Sequence, residues 1–342
     1  GPGVAAVTAG PGVTNTITAL KNAQLAQSPV LVLGGATGTV LKGRGALQDI
    51  DQMALVAPHV KWATSVARVR DLEPAVQKAL DLAQSGVPGP VFVECPLDLL
   101  YDEGLVRDMY GAKAAQGRSR SLGERVLAAY LHRHVNQLFE GAQDVEVSEP
   151  VASSAPSPSG REIRRAASYL GAARRPVLMV GSQALLENGR VGELATAVER
   201  LGIPVYLSGM ARGLLGANHP LQLRHQRRKA LRQADLVLLA GVPCDFRLDY
   251  GRQISGKARL ISVNRSAVEV SKNRRPSLGA VADPGLFLVR LAQREMAANA
   301  WSDWLSTLRE RDLEREREIA RHAEATTEHL TPISFLRSVE AA

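Results

Sequence analysis

The chain has 342 residues, enough for about two domains. Hydrophobic residues at 45% and charged residues at 22% exclude wholesale disorder, and the Gly and Pro totals exclude a collagen-like or proline-rich fibre. Two cysteines exclude a disulfide scaffold and a Cys-based zinc site, and Lys+Arg 42 against Asp+Glu 34 leaves +8, a balance that favours weak attraction to anions such as phosphates.

Acids are interleaved with bases, so the charge is not concentrated as a nucleic-acid binder would have it. Aromatic residues are only 4%, so the core must be aliphatic. No stretch reaches ~18 uninterrupted apolar residues, and no signal peptide is visible. The chain opens on Gly1-Pro2-Gly3 without Met, inside an ongoing pattern, which predicts a piece of a longer protein.

Residues 1–110 alternate between strand and helix. The run 4–7 is a short strand ending in Thr8-Ala9-Gly10-Pro11-Gly12, where glycines allow a sharp turn. Thr14 or Asn15 is placed to cap a helix running through Leu20, Ala23 and Leu25. Residues 29–33 form a continuous apolar run closed by Gly34-Gly35, the signature of a buried parallel strand. A helical stripe follows at Leu72, Val76, Ala79, Leu80 and Ala83, then a turn at 86–90 and a strand at 91–93. Residues 121–139 read as a helix, and 141–160, rich in Pro, Ser and acids, as a linker.

A second α/β pattern follows. Ile163, Ala166, Ala167 and Leu170 make one helix face. Strands are predicted at 176–181, 204–207, 236–240, 259–263 and 281–282, with helices at 185–201 and before Ala234. About five parallel strands with crossover helices make a doubly wound sheet. Residues 301–320 read as a charged, solvated helix with i,i+4 pairs.

Chemistry has few candidates. The turn at 8–15 exposes backbone N–H groups beside a helix N-terminus, a geometry that attracts anions, although pattern alone favours an ordinary βα turn. It is neither a Walker loop nor a GxGxxG fingerprint. Gln48 has donor and acceptor capacity in what pattern alone describes as a surface loop.

Taken together, T-A-G-P-G-V-T-N, S-P-V-L-V-L-G-G, L-Q-D-I-D, V-K-W and P-G-P-V-F-V-E-C-P-L-D resemble the thiamine diphosphate enzymes of the acetolactate synthase group, in order and spacing. G-M-A-R-G-L-L-G-A-N-H-P at 209–220, A-D-L-V-L-L-A-G at 234–241 and L-I-S-V-N at 260–264 extend the resemblance. It implies an α/β chain of two doubly wound parallel-sheet domains: a partial pyrimidine-binding domain at 1–115 and a Rossmann-like middle domain at 161–295. A helix and linker at 116–160 would join them, and 296–342 would hold a charged helix and a connector to a diphosphate-binding third domain absent from this sequence.

In that family the proline and asparagine of the G-P-G-x-x-N turn line the aminopyrimidine site, which implies Pro11 and Asn15. The glutamine of the F-Q pair faces the reaction centre and matches Gln48, with Leu47 in place of phenylalanine. Arg212 stands in the R-G position, and Gly241 and Asn264 follow strand ends in the crevice where relatives hold FAD or an adenine nucleotide. Many relatives have an acid at the position of Asn264.

The implied cofactors are thiamine diphosphate with Mg²⁺. Neither Gly-Asp-Gly nor Arg-His-Glu occurs in the sequence. The metal–diphosphate motif and the catalytic glutamate are therefore implied to lie elsewhere in the longer protein, and the chain alone to be inactive. The implied activity is carbon–carbon bond cleavage of a 2-hydroxyacyl-CoA to an aldehyde and formyl-CoA, or condensation of pyruvate to acetolactate. A small-molecule substrate, a homodimer or homotetramer, and the endoplasmic reticulum membrane come with the resemblance. The alternative is a non-catalytic nucleotide-binding or assembly module, which a doubly wound domain alone would support.

Overall fold

The apolar runs at 30–33 and 91–93 offer water no polar face, so both of their faces must be covered. In the computed structural model they lie side by side at the centre of a parallel four-stranded sheet. Residues 1–114, 122–149, 155–295, 300–324 and 329–341 are described, in two units, 1–154 and 155–342.

The first unit runs β1 (Gly3–Val7), α1 (Pro11–Thr14), α2 (Ile17–Ala26), β2 (Val30–Ala36), α3 (Gln52–Val56), β3 (Trp62–Ser65), α4 (Leu72–Gln84), β4 (Pro90–Pro96), α5 (Glu103–Ala114) and α6 (Leu122–Phe139). The strand order is β1-β2-β4-β3, all parallel. Alternate residues separate to opposite faces. Leu31, Val91 and Val93 pack with Ala79 and Ala83 of α4 and Leu138 of α6. Val32 and Phe92 pack with Val13, Leu20 and Val56 on the other side.

The expected cap at Thr14 or Asn15 is not made. The helix starts at Pro11, whose fixed φ suits a first turn, pauses at Asn15 and Thr16, and restarts at Ile17. Residues 141–149, expected as linker, are tied down: Ser148 N–H donates to Glu73 (2.9 Å) and Gln77 to the Glu149 carbonyl (3.2 Å). Residues 150–154 of that stretch, and Ser121 at the start of the expected helix, lie outside the described residues.

The second unit runs α7 (Gly160–Gly171), β5 (Pro176–Val180), α8 (Val191–Leu201), β6 (Val205–Leu207), β7 (Gln222–Leu223), α9 (Arg227–Gln233), β8 (Leu236–Ala240), β9 (Arg259–Asn264), α10 (Ala267–Val270), β10 (Leu278–Val281), α11 (Pro284–Ala292), α12 (Ser302–Glu324) and α13 (Pro332–Ala341). Its parallel sheet has the order β7-β6-β5-β8-β9-β10, which counted from β5 is the 3-2-1-4-5-6 order of dinucleotide-binding sheets.

Four expectations need correction here. The sheet has six strands rather than five, the added one being the two-residue β7, too short to leave a pattern. The last strand is Leu278–Val281 rather than 281–282, because Gly279 breaks its apolar run. The helix expected at 185–201 starts at Val191, after 3₁₀ turns at Ser182–Leu185 and Asn188–Arg190. The charged helix α12 is not solvated all round: Trp304 and Leu308 are buried with Trp301 in the core. The indoles of Trp301 and Trp304 donate to the carbonyls of Ala173 (2.9 Å) and Pro176 (3.1 Å).

Gly181, just past β5, lies against the adjoining strand end: an added Cβ would stand 2.4 Å from the Gly241 carbonyl oxygen. A backbone oxygen cannot swing aside, so Gly181→Ala should destabilise the second unit by about 2 kcal/mol. Chemical denaturation of the two proteins checks this; equal midpoints would contradict it.

Candidate functional site

The turn after β1 is set by two glycines. Gly10 takes φ +60, and a Cβ on Gly12 would stand 2.5 Å from Thr8 Oγ1. Pro11 and Asn15, at the two ends of α1, are exposed, and the Asn15 N–H donates to the Pro11 carbonyl (3.1 Å). Beside this turn, the carboxyl ends of β1, β2 and β4 surround an apolar hollow of about 800 Å³. Its walls include Leu33, Leu41, Leu47, Leu97 and Leu100, with Gln48 among its lining residues and Cys95 at its floor. Burial pushes the Cys95 thiol up, and Glu94 adds to this, so the sulfur stays protonated. Pro11 and Asn15 do not line the hollow; they stand on the neighbouring turn.

Gln48 sits in the left-handed region at φ +66, next to Leu47, which is 89% exposed. An added Cβ on Gly10 would meet Gln48 Cβ at 2.9 Å, so loop and turn are in close contact. The loop is held from both ends by carboxylates of β4 and its continuation. Asp98 accepts from the Thr39 N–H (2.9 Å), the Thr39 hydroxyl (2.6 Å) and the Tyr110 hydroxyl (2.7 Å). Burial, then the Asp98 hydrogen bond and charge, push the Tyr110 pKa up, which keeps that hydroxyl a donor.

Glu94, 1% exposed, takes Lys42 (2.7 Å) and the Ser65 hydroxyl (2.6 Å) on one oxygen and Gln52 (3.1 Å) on the other. Burial pushes the Glu94 carboxyl up, but bonds from Lys42, Ser65 and Gln52 together outweigh it and hold the group below the ordinary glutamate range.

In the second unit the crevice lies where the strand order reverses, between β5 and β8. It is filled from within. The Gln183 side chain donates to Asn264 Oδ1 (3.0 Å) and accepts from the Arg265 N–H (2.7 Å). A Cβ on Gly241 would meet Gln183 Cβ at 2.9 Å. Asn264, 2% exposed, also accepts from the Ser266 N–H (2.9 Å), so its carboxamide oxygen is committed to the fold.

Arg212 lies elsewhere, in a cavity of about 830 Å³ beyond β6 and β7, with Arg224, His225, Arg227 and Arg228. The cavity also includes Gln222 and Gln253, whose carboxamide oxygens are buried with no hydrogen-bond partner. Burial, and then the charges of Arg247 and Arg212, lower the Arg227 pKa against the opposing effect of Tyr206. Crowded cations and unsatisfied amides suit an anionic ligand with polar edges.

The expected residues thus fall into three places. Gln48 borders the hollow, with Pro11 and Asn15 on the turn beside it; Gly241 and Asn264 are at the filled crevice; Arg212 lies in the basic cavity. Sequence reading missed Gln52, Glu94, Asp98, Gln183 and Arg227. Glu94 left a signal, a lone acid in the otherwise apolar strand V-F-V-E-C; Gln52 and Gln183 left none, because their roles depend on distant backbone groups.

Residues 1–55 match the family described as thiamine pyrophosphate enzyme, N-terminal TPP binding domain, and residues 163–291 match its central domain. Proteins named 2-hydroxyacyl-CoA lyase 2 from Caenorhabditis elegans and Homo sapiens are each 45% identical across 99% of this chain and 54% of their own length. The chain therefore spans about half the length of these curated relatives. The acetolactate synthase large subunit IlvG of Mycobacterium tuberculosis is 34% identical over 77% of the chain and 42% of its own length. An X-ray structure of a protein described as a thiamin diphosphate-dependent enzyme, from Mycobacterium smegmatis, has a TM-score of 0.62 at 20% identity. It covers 85% of this chain and 50% of that one, a likeness of fold.

The Glu94 ion pair carries a pH signature. Its folded-state pKa lies below the ordinary value of 4.5, so its contribution is complete above that value and is lost as pH falls through the folded one. The stability difference between this chain and Glu94→Gln should therefore shrink as pH falls below 4.5. Thermal melts at stepped pH check it; a constant difference would contradict the assignment.

Proposed function

We propose, for a chain that belongs to the thiamine pyrophosphate enzyme family, that it forms part of a lyase that cleaves a 2-hydroxyacyl-CoA into an aldehyde and formyl-CoA. The carrying observation is the 45% identity across 99% of the chain to proteins named 2-hydroxyacyl-CoA lyase 2. Acetolactate-type condensation is the second reading, supported by the 34% identical relative over 77% of the chain.

The hollow fits the ring system of thiamine diphosphate in its chemistry: leucine walls, an adjoining glycine turn that a Cβ would fill, and one carboxamide at the rim. Pro11 and Asn15 on the turn and Gln48 in the loop are the residues that would hold it. When bound, the cofactor supplies a carbon nucleophile and accepts the electron pair of the bond that breaks. Gln48 orients the reacting group and donates a hydrogen bond toward developing negative charge. The aliphatic walls would shed water where a bound ring system covers them, which would raise the strength of that bond. Among the described residues no group of three or more His, Cys, Asp or Glu is placed to hold a metal.

For the second unit we assign the anionic part of an adenine nucleotide, free or within FAD, to the arginine cavity. Its supports are Arg212, Arg224, Arg227 and Arg228 and the two unpaired glutamine oxygens. A homodimer or homotetramer and the endoplasmic reticulum membrane complete the reading on family resemblance alone. No helix among the described residues is long and apolar enough to cross a membrane.

Mass spectrometry of small molecules released from the full-length protein tests the class: thiamine diphosphate supports the enzyme, an adenine nucleotide alone the binding module. In that protein Gln48→Ala should lower turnover by ~10²-fold while cofactor binding survives; unchanged turnover at saturating substrate would return Gln48 to an ordinary loop residue. In this chain, Arg212→Glu should weaken ADP binding by about tenfold or more, read by calorimetry. Equal affinity would move the nucleotide away from this cavity.

A further inference from the structure

We propose that Gln52 is a positioning residue: its carboxamide sets the separation between the Gly10–Gly12 turn and the loop that carries Gln48. The proposal rests on reading the hollow as the cofactor and reaction site.

Gln52 is the first residue of α3 and is 2% exposed. Its oxygen accepts from the Gly10 N–H (2.8 Å). Its nitrogen donates to the Gly35 carbonyl (3.0 Å) and to Glu94 Oε1 (3.1 Å). Both of its protons and one lone pair are therefore used. The three partners stand at the carboxyl ends of β1, β2 and β4, the strands that surround the hollow.

These bonds act on Gln48 by two routes. Gly10 is in close contact with Gln48, so a shift of the Gly10 amide is felt directly by that side chain. Lys42 binds the other oxygen of Glu94 (2.7 Å), so the segment from Lys42 to Gln52 begins and ends on one buried carboxylate. Gln48 lies within that closed segment at φ +66, a conformation that persists only when its surroundings hold it. An apolar residue at 52 would leave the Gly10 amide and a Glu94 oxygen unpaired in the interior, and the loop would relax to satisfy them.

The test uses the full-length protein and three variants: Gln52→Glu, Gln52→Asn, and the exchange Gln52→Glu with Glu94→Gln. Calorimetry reads thiamine diphosphate affinity, and hydrogen exchange reads protection at residues 8–16 and 37–51. Gln52→Glu sets two carboxylates face to face. It should weaken cofactor binding about tenfold or more and speed exchange in those two segments, with β8 and β9 unchanged. The exchange variant restores one donor and one acceptor between the two positions, but not the bond to the Gly35 carbonyl, and should recover part of both readouts.

Should Gln52→Glu not fold, Gln52→Asn, one methylene short, takes the same readouts with the same expectation. Wild-type affinity and protection in the single variants would overturn the positioning role and leave the functional reading standing. So would protection lost evenly over both sheets, or an exchange variant with no recovery. A wild-type full-length protein that binds no thiamine diphosphate would overturn the functional reading, and the positioning role with it.

Discussion

A carboxylate buried at the end of a strand has to be neutralised, and the carboxyl end of the first sheet is arranged around that demand. Glu94 is an acid in an otherwise apolar strand, and water cannot reach it. Lys42, Ser65 and Gln52 supply the donors. They come from a loop, a neighbouring strand and a short helix, so satisfying one group fixes three elements. Removing a single donor would leave part of the charge uncompensated, which is more costly than never burying it. The site therefore stands on an electrostatic requirement beneath it, while its own walls are leucine.

The second unit meets a related constraint differently. Its strand order creates a crevice between β5 and β8, where dinucleotide-binding sheets take ligands. Here Gln183, Asn264 and Arg265 occupy it, and Arg265 is neutralised by Asp283 (2.7 Å) and Glu187 (2.8 Å). Cationic side chains gather instead beyond β6 and β7, on an edge closed by α12. There Asp312 accepts from the N–H groups of Arg224 (3.0 Å) and His225 (2.6 Å), and Glu316 pairs with His225 (2.8 Å). The helix thus fixes the backbone of the cavity and places Glu316 4.0 Å from Arg224, while Arg227 donates to the Arg247 carbonyl (2.7 Å). Topology alone marks the crevice, and side chains fill it.

Much of the architecture was legible in the amino acids because strands buried on both faces read as unbroken apolar runs. The runs at 29–33, 91–93, 176–181, 236–240 and 259–263 all hold strands, two of them one residue shorter at an end, without Pro29 and Gly181. Failures were local and had local causes. A two-residue strand has no periodicity to detect, a glycine divided the apolar run of β10, and a proline at the first helical position moved the start of α1 ahead of the residues expected to cap it. Trp301 before α12 and Trp304 within it were visible, yet a helix so rich in arginine and glutamate read as solvated because mean composition hides a narrow buried stripe.

The sequence by itself determined the α/β class, the two sheets and the family, since these depend on short-range apolar order and on contiguous motifs. Tertiary structure decided which polar groups meet. Glu94 and Gln52 are 42 residues apart, and Gln183 and Asn264 are 81 apart. A hydrogen bond depends on a few tenths of an ångström between atoms that folding alone brings together, and no local pattern encodes that distance. For the same reason Gln48 could be singled out in the sequence, whereas the residues that hold it in place appeared only in the fold.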